Sequence, residues 1–160
     1  MNTKTKTAAV IGALLAAVAA APTATAAPRP VVDLRGAGLG AYVLDAAGSA
    51  RLSGDVTGAP FDGAYAATLA SSDGSLPAPG ECEPATAAVD VAGPKHGTLH
   101  FAASGEVCGT WADATYVVTH RFVGRYVVTD ATARRLRGTD GWTSLILATE
   151  GRANIEAIDT

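Results

Sequence analysis

The sequence predicts an all-β domain: a single antiparallel β-barrel of about nine short strands, with a β-sandwich as the alternative architecture. Three observations carry this expectation. Beyond residue 26 the hydrophobic pattern has a period of two, and no long stripe of period 3.6 occurs. One segment, Tyr116 to Thr129, alternates over fourteen positions with Gly124 in its middle, as a long strand that bends does. Turn-forming groups recur at short intervals, among them Ala47-Gly48, Ser72-Asp73-Gly74 and Thr139-Asp140-Gly141. Many short strands with turns this close together are the pattern of small barrels and sandwiches.

The first 26 residues stand apart from that pattern. Lys4 and Lys6 give a basic start, Ala8 to Ala21 form an apolar run without a charge, and Pro22 breaks it. Ala24-Thr25-Ala26 then supplies small residues at the positions a signal peptidase reads. Residues 1–26 are thus expected to be a secretory signal, cleaved near Ala26-Ala27. The run is too short and too abruptly ended for a stable membrane span. The mature chain would be exported and soluble, with no membrane anchor, an exposed leader over residues 27–36 and an all-β domain over 37–160.

Strands are expected at Gly40–Ala46, Ala50–Val56, Gly63–Ser71, Thr86–Val91, Gly97–Ala103 and Glu106–Trp111, followed by Tyr116–Thr129, Trp142–Ala148 and Ala153–Ile158. In Tyr116–Thr129 the even positions (Tyr116, Val118, His120, Phe122, Gly124, Tyr126, Val128) are the core-facing set. The odd positions, including Arg121 and Arg125, face water. Asp130 is placed to cap a short helical turn over Ala131–Arg137, with Gly138 just beyond it, although the same residues could equally continue the strand, since Arg134 and Leu136 alternate with Arg135 and Arg137. Leu145-Ile146-Leu147 reads as a strand buried on both faces. Thr149-Glu150-Gly151-Arg152 is the turn that closes the last hairpin, with Gly151 available for positive φ.

Removing the two signal-region lysines from a chain with 12 basic and 15 acidic side chains leaves ten against fifteen, a formal charge of −5. That balance disfavours general polyanion binding and suits a monomer. The abundance of alanine, glycine and arginine, with Lys95 the one lysine past the signal, resembles exported proteins of high-GC actinobacteria. The likeness lies in composition and export signal alone and implies no functional motif.

Cys82 and Cys108 are the two cysteines of a chain bound for an oxidising compartment, and a disulfide between them is expected. It would staple the stiff segment around Pro77, Pro79, Gly80 and Pro84 to a strand near Val107. Closing a loop of this length stabilises a fold by roughly 3–4 kcal/mol. Cys82, His96, His100 and Cys108 are the residue types of a zinc site, but their spacing lacks the close cysteine pair of structural zinc, so no metal is assigned. No cofactor is assigned either.

Four groups are candidates for function. Tyr116, His120, Phe122 and Tyr126 share the apolar face of the long strand. They would line a ligand pocket if the barrel were open, or form core if it were filled, with His120 then hydrogen-bonded to a backbone carbonyl or a tyrosine hydroxyl. Arg121, Arg125, Arg134, Arg135 and Arg137 stand against Asp130 alone, a basic stretch in an acidic chain that could meet an extracellular polymer or protein. Equally, these arginines could pair with acidic neighbours across strands. Trp111 and Trp142 could stack on sugar rings if exposed, but the scarcity of aromatics in the chain favours their use in the core. No Gly-x-Ser-x-Gly element, dense calcium loop or nucleic-acid module is present in the mature chain. The expected function is a non-enzymatic extracellular binding or interaction module, its partner a small apolar ligand or an extracellular polymer or protein, and not nucleic acid. The alternative is a small secreted enzyme using His120 for acid–base chemistry.

Overall fold

A computed structural model describes residues 35–58, 62–94, 97–111 and 117–159 of the chain. The proposed signal and its cleavage point, most of the leader, Lys95, His96 and Tyr116 lie outside the described residues. The chain forms a closed eight-stranded barrel in which each strand pairs antiparallel with its sequence neighbours and β8 returns to β1. The strands are β1 (Arg35–Leu44), β2 (Ala50–Thr57), β3 (Gly63–Ser71), β4 (Cys82–Gly93), β5 (Gly97–Gly109), β6 (Val118–Ala131), β7 (Asp140–Ala148) and β8 (Arg152–Asp159). Closure removes every sheet edge, so no backbone ladder is left open to another chain.

Eight strands replace the expected nine because Gly97–Ala103 and Glu106–Trp111 are one element. Ser104 and Gly105 are not a turn: Gly105 sits in the ladder between Ala85 on β4 and Gly124 on β6. A Cβ at Gly105 would lie 2.1 Å from the Val123 carbonyl oxygen, so glycine marks a close approach of backbones here. β1 begins at Arg35, two residues inside the expected leader and five before the expected strand. Of the two readings of Ala131–Arg137 each holds in part: β6 extends to Ala131, and one 3-10 turn, Arg134–Leu136, follows with no side-chain cap. Asp130 accepts from the Ala131 backbone N–H at 2.8 Å and pairs with Arg137 at 2.6 Å. The single turn drives Leu136 into the end of the barrel, where it is 1% exposed. Gly138 follows at φ +78°, as a turn requires.

Alternation along β6 runs as its sequence demands. Phe122, Gly124, Tyr126 and Val128 are buried, while Arg121, Val123, Arg125 and Val127 are exposed. A bulge opposite His100 lets Asp130 and Thr129 both face outward before Ala131 turns in again. The core draws on every strand after β1, from Leu52 and Tyr65 through Val89, Phe101 and Val107 to Leu145, Leu147 and Ile155. Leu145 and Leu147 are fully buried, but Ile146 between them is only half-buried and faces out.

Apart from Tyr42, which is half-buried and packs against the core, β1 contributes space rather than bulk. Its inward positions Gly36, Gly38 and Gly40 leave room that Tyr65 and Ile155 occupy: a Cβ at Gly38 would lie 2.7 Å from Ile155 Cγ2, and one at Gly40 2.7 Å from the Tyr65 hydroxyl. Gly141 serves Tyr126 in the same way, with its hypothetical Cβ 2.9 Å from the ring and the hydroxyl. Large rings set against glycines fill small barrels in this manner. Because side chains alternate with a period of two, turning the glycines inward forces Leu39 and Val43 outward.

Candidate functional site

The end of the barrel where β3 passes to β4 is closed by the proline-rich segment between them. Cys82 and Cys108 are directly opposed on β4 and β5 and form a disulfide. The bond lies on the outer face at the outermost pair of that ladder, adjoining the segment it braces. Gly80 donates its backbone N–H to Gly109 O at 3.0 Å and Gly109 donates to Glu81 O at 2.9 Å. Pro77 is buried and Leu76 packs against the core.

His120 completes this closure. It is half-buried, with Nε2–H donating to Pro77 O at 3.1 Å and Nδ1 3.2 Å from the Thr119 hydroxyl, which itself lies 3.2 Å from Leu147 O. Burial lowers its pKa below the ordinary imidazole value, and the bond to Pro77 opposes that shift more weakly. From β5 it faces Gly109, from β7 Leu147 and from the loop Pro77, none of which carries a charge. Nε2 thus ties β6 to the proline segment, while Nδ1 is occupied by the neighbouring Thr119 hydroxyl on β6 itself.

Of the residues that would line a pocket with it, Phe122 and Tyr126 are 0% exposed and belong to the core. Tyr126 packs against Phe101 with ring centroids 5.1 Å apart. Tyr65, which the sequence did not single out, is also buried, and its hydroxyl finds no hydrogen-bond partner among the described residues. Desolvation raises its pKa, so it stays a neutral phenol.

The five arginines do not form one cluster. Arg125 pairs with Asp140 at 3.1 Å and lies 5.6 Å over the Trp142 ring. Arg137 pairs with Asp130. Arg134 and Arg135 project from the 3-10 turn at the far end of β6, while Arg121 stands near its start. His100 pairs with Asp90 on the outer face of β4 and β5. Cys82, Cys108 and Glu106 lie close enough together to hold a metal, but the disulfide occupies both sulfurs.

The two tryptophans are not core residues. Trp111 is 74% and Trp142 46% exposed. They join a distribution that the sequence left hidden. On the strands, the large exposed apolar side chains are Leu39, Val43 and Leu44 on β1, Val123 and Val127 on β6, Trp142 on β7 and Ile158 on β8. Among the described residues, β2 to β5 carry none. Their outer faces bear alanine, serine and threonine with scattered charges, for example Ala64, Ala66 and Thr68 on β3 and Thr86, Ala88 and Asp90 on β4. Two open concavities accompany the apolar half, one of about 540 Å³ beside Gly36, Ala37 and Ile158 and one of about 420 Å³ between Leu39, Val117 and Ile146. No helix among the described residues is long and apolar enough to cross a membrane. The interior of the barrel is packed with apolar side chains. Compared with protein families, curated proteins and solved structures, the chain matches none.

Proposed function

We propose that the domain is an exported, non-enzymatic interaction module that meets a macromolecular partner with the outer surface of β6, β7, β8 and β1. The observation that carries this reading is that the large exposed apolar side chains borne by the described strands all lie on that half of the barrel, with Trp111, beyond the end of β5, standing apart from them. Scattered surface leucines and valines need no explanation, but grouping on adjacent strands is the mark of a contact face. Arg121 and Arg125 alternate with Val123 and Val127 there, which gives the face both apolar and cationic elements. Arginine and tryptophan together are enriched where proteins make contact. The packed interior supports the same reading from the other side, since Phe122 and Tyr126 serve as core.

Photo-cross-linking tests the assignment. A photoreactive residue is placed at Val123 on β6 or, as control, at Thr86 on β4, and the protein is illuminated in the medium of its producing cells. Cross-links to a macromolecule from Val123 and not from Thr86 are expected. Equal yields from both positions, or none from Val123, would refute the choice of face.

A further inference from the structure

We infer that the partner on this face is a second copy of the chain, docked about a two-fold axis at Asn154. The inference rests on the reading of β6, β7, β8 and β1 as the contact surface and extends it by one strand, to Asp55 on β2. Its basis is one row of outward residues fixed by the strand registers: Asp55 opposes Leu39, Leu39 opposes Asn154, Asn154 opposes Ile146, and Ile146 opposes Arg121. From β2 to β6 the row reads acidic, apolar, amide, apolar, basic. It is a palindrome in hydropathy and antisymmetric in charge.

An isologous contact needs a surface that complements itself after a half-turn. This row does. Rotation about Asn154 sets Asp55 of one copy against Arg121 of its partner, twice, and Leu39 against Ile146, twice. The two Asn154 amides meet at the axis, where each can donate to and accept from the other. Among the described residues neither Asp55 nor Arg121 takes part in an ion pair, so both charges are available. Leu39, 71% exposed, is the most exposed aliphatic side chain on any strand. The concavity of about 420 Å³ lies over the same row, between Leu39 and Ile146 with Arg152 and Asn154 in its wall, and gives an incoming leucine a place to go.

The dimensions fit a modest interface. Five strands at about 4.8 Å spacing make the row roughly 19 Å long between its end Cα atoms. With terminal side chains it approaches the breadth of a standard patch of about 800 Å² per partner. Strands in a closed barrel tilt by about 35–45°, so the row winds along the barrel as well as around it. β2 and β6 stand four strands apart in the eight-stranded barrel, so the end charges curve back from the axis and their pairing relies on the length of the Arg121 side chain. The strong inward demand for glycine on β1 explains why Leu39 faces out, and pairing with Ile146 of the second copy gives its exposure a use.

Sedimentation velocity across a concentration series, with thermal melts to verify folding, decides the matter. The parent chain is expected to pass from monomer to dimer with rising concentration. Leu39→Asp should abolish the dimer, and Asp55→Arg or Arg121→Asp alone should weaken it by about tenfold or more. The double reversal Asp55→Arg/Arg121→Asp should restore association to within about threefold of the parent, a rescue that only the charge pairing across the axis produces. A parent that stays monomeric to about 1 mM, far weaker than a specific interface of this size, overturns the proposal. So does a dimer indifferent to Leu39→Asp or not rescued by the double reversal. Where Val123 cross-links to another macromolecule while the chain stays monomeric, the contact face stands and the dimer falls. Where Val123 captures nothing and the chain is monomeric, both fall.

Discussion

Replacing Phe122 by alanine separates a filled barrel from an open one. Phe122 is 0% exposed, and a Cβ added at Gly124 would lie 2.6 Å from its ring, so the backbone already crowds it. Truncating a phenylalanine so enclosed removes its transfer energy and leaves a cavity, a loss of about 3–5 kcal/mol. Against a total stability of roughly 5–15 kcal/mol, that is a large fraction. For a domain of this size it lowers the melting midpoint by on the order of 10–20 °C. Urea unfolding with the disulfide intact measures it. Benzene then provides a second readout: it should raise the midpoint of Phe122→Ala by occupying the new apolar void and leave the parent unmoved. A loss below about 1 kcal/mol, typical of a side chain lining open space, would refute the packing argument. Benzene stabilisation of the parent would refute it too.

Three further outcomes follow from single sites. Tyr65→Phe removes a buried hydroxyl with no partner among the described residues and should leave stability unchanged or raise it by about 1 kcal/mol; a clear loss in urea unfolding would mean that the hydroxyl is engaged. Because burial lowers the folded pKa of His120, its unfolded form binds the proton more readily, so its contribution to stability is full above about pH 6.5 and declines as pH falls through the lower folded value. A His120→Gln variant should flatten that part of the pH–stability curve, and an unchanged curve would show that His120 does not titrate against folding. Leu136→Ala should cost about 2–5 kcal/mol by unplugging the end of the barrel closed by the 3-10 turn; a surface-like value under 0.5 kcal/mol in the same assay would remove that role.

Much of the fold was legible because strand period and turn chemistry are local. Gly63–Ser71 coincides with β3, and the faces of β6 follow its even and odd positions from Phe122 to Val128. The disulfide and the stapled proline segment were legible from cysteine placement. The errors cluster at glycines. Gly36, Gly38 and Gly40 hid the first half of β1, and Gly105 split β5, because glycine weakens a strand signal and its reason for being there sits on another strand. Tyr65 and Ile155 supply that reason on β1. The exposed apolar row of β1 was illegible for the same cause: alternation reveals that Leu39 and Val43 share a face, but only the rings packed over the glycines show that this face is the outer one. The tryptophans misled for a different reason, since scarcity of aromatics favours core use and says nothing about a particular strand end. The partner of His120 was illegible too, because the carbonyl it meets is 43 residues distant in sequence.

Native mass spectrometry of the purified protein, kept folded throughout, tests most directly whether the barrel is filled. A filled barrel that works from its exterior predicts a chain two mass units below its reduced mass, from the Cys82–Cys108 bond, with no small molecule released on denaturation. A stoichiometric small-molecule passenger retained by the folded protein and lost on unfolding would contradict the account.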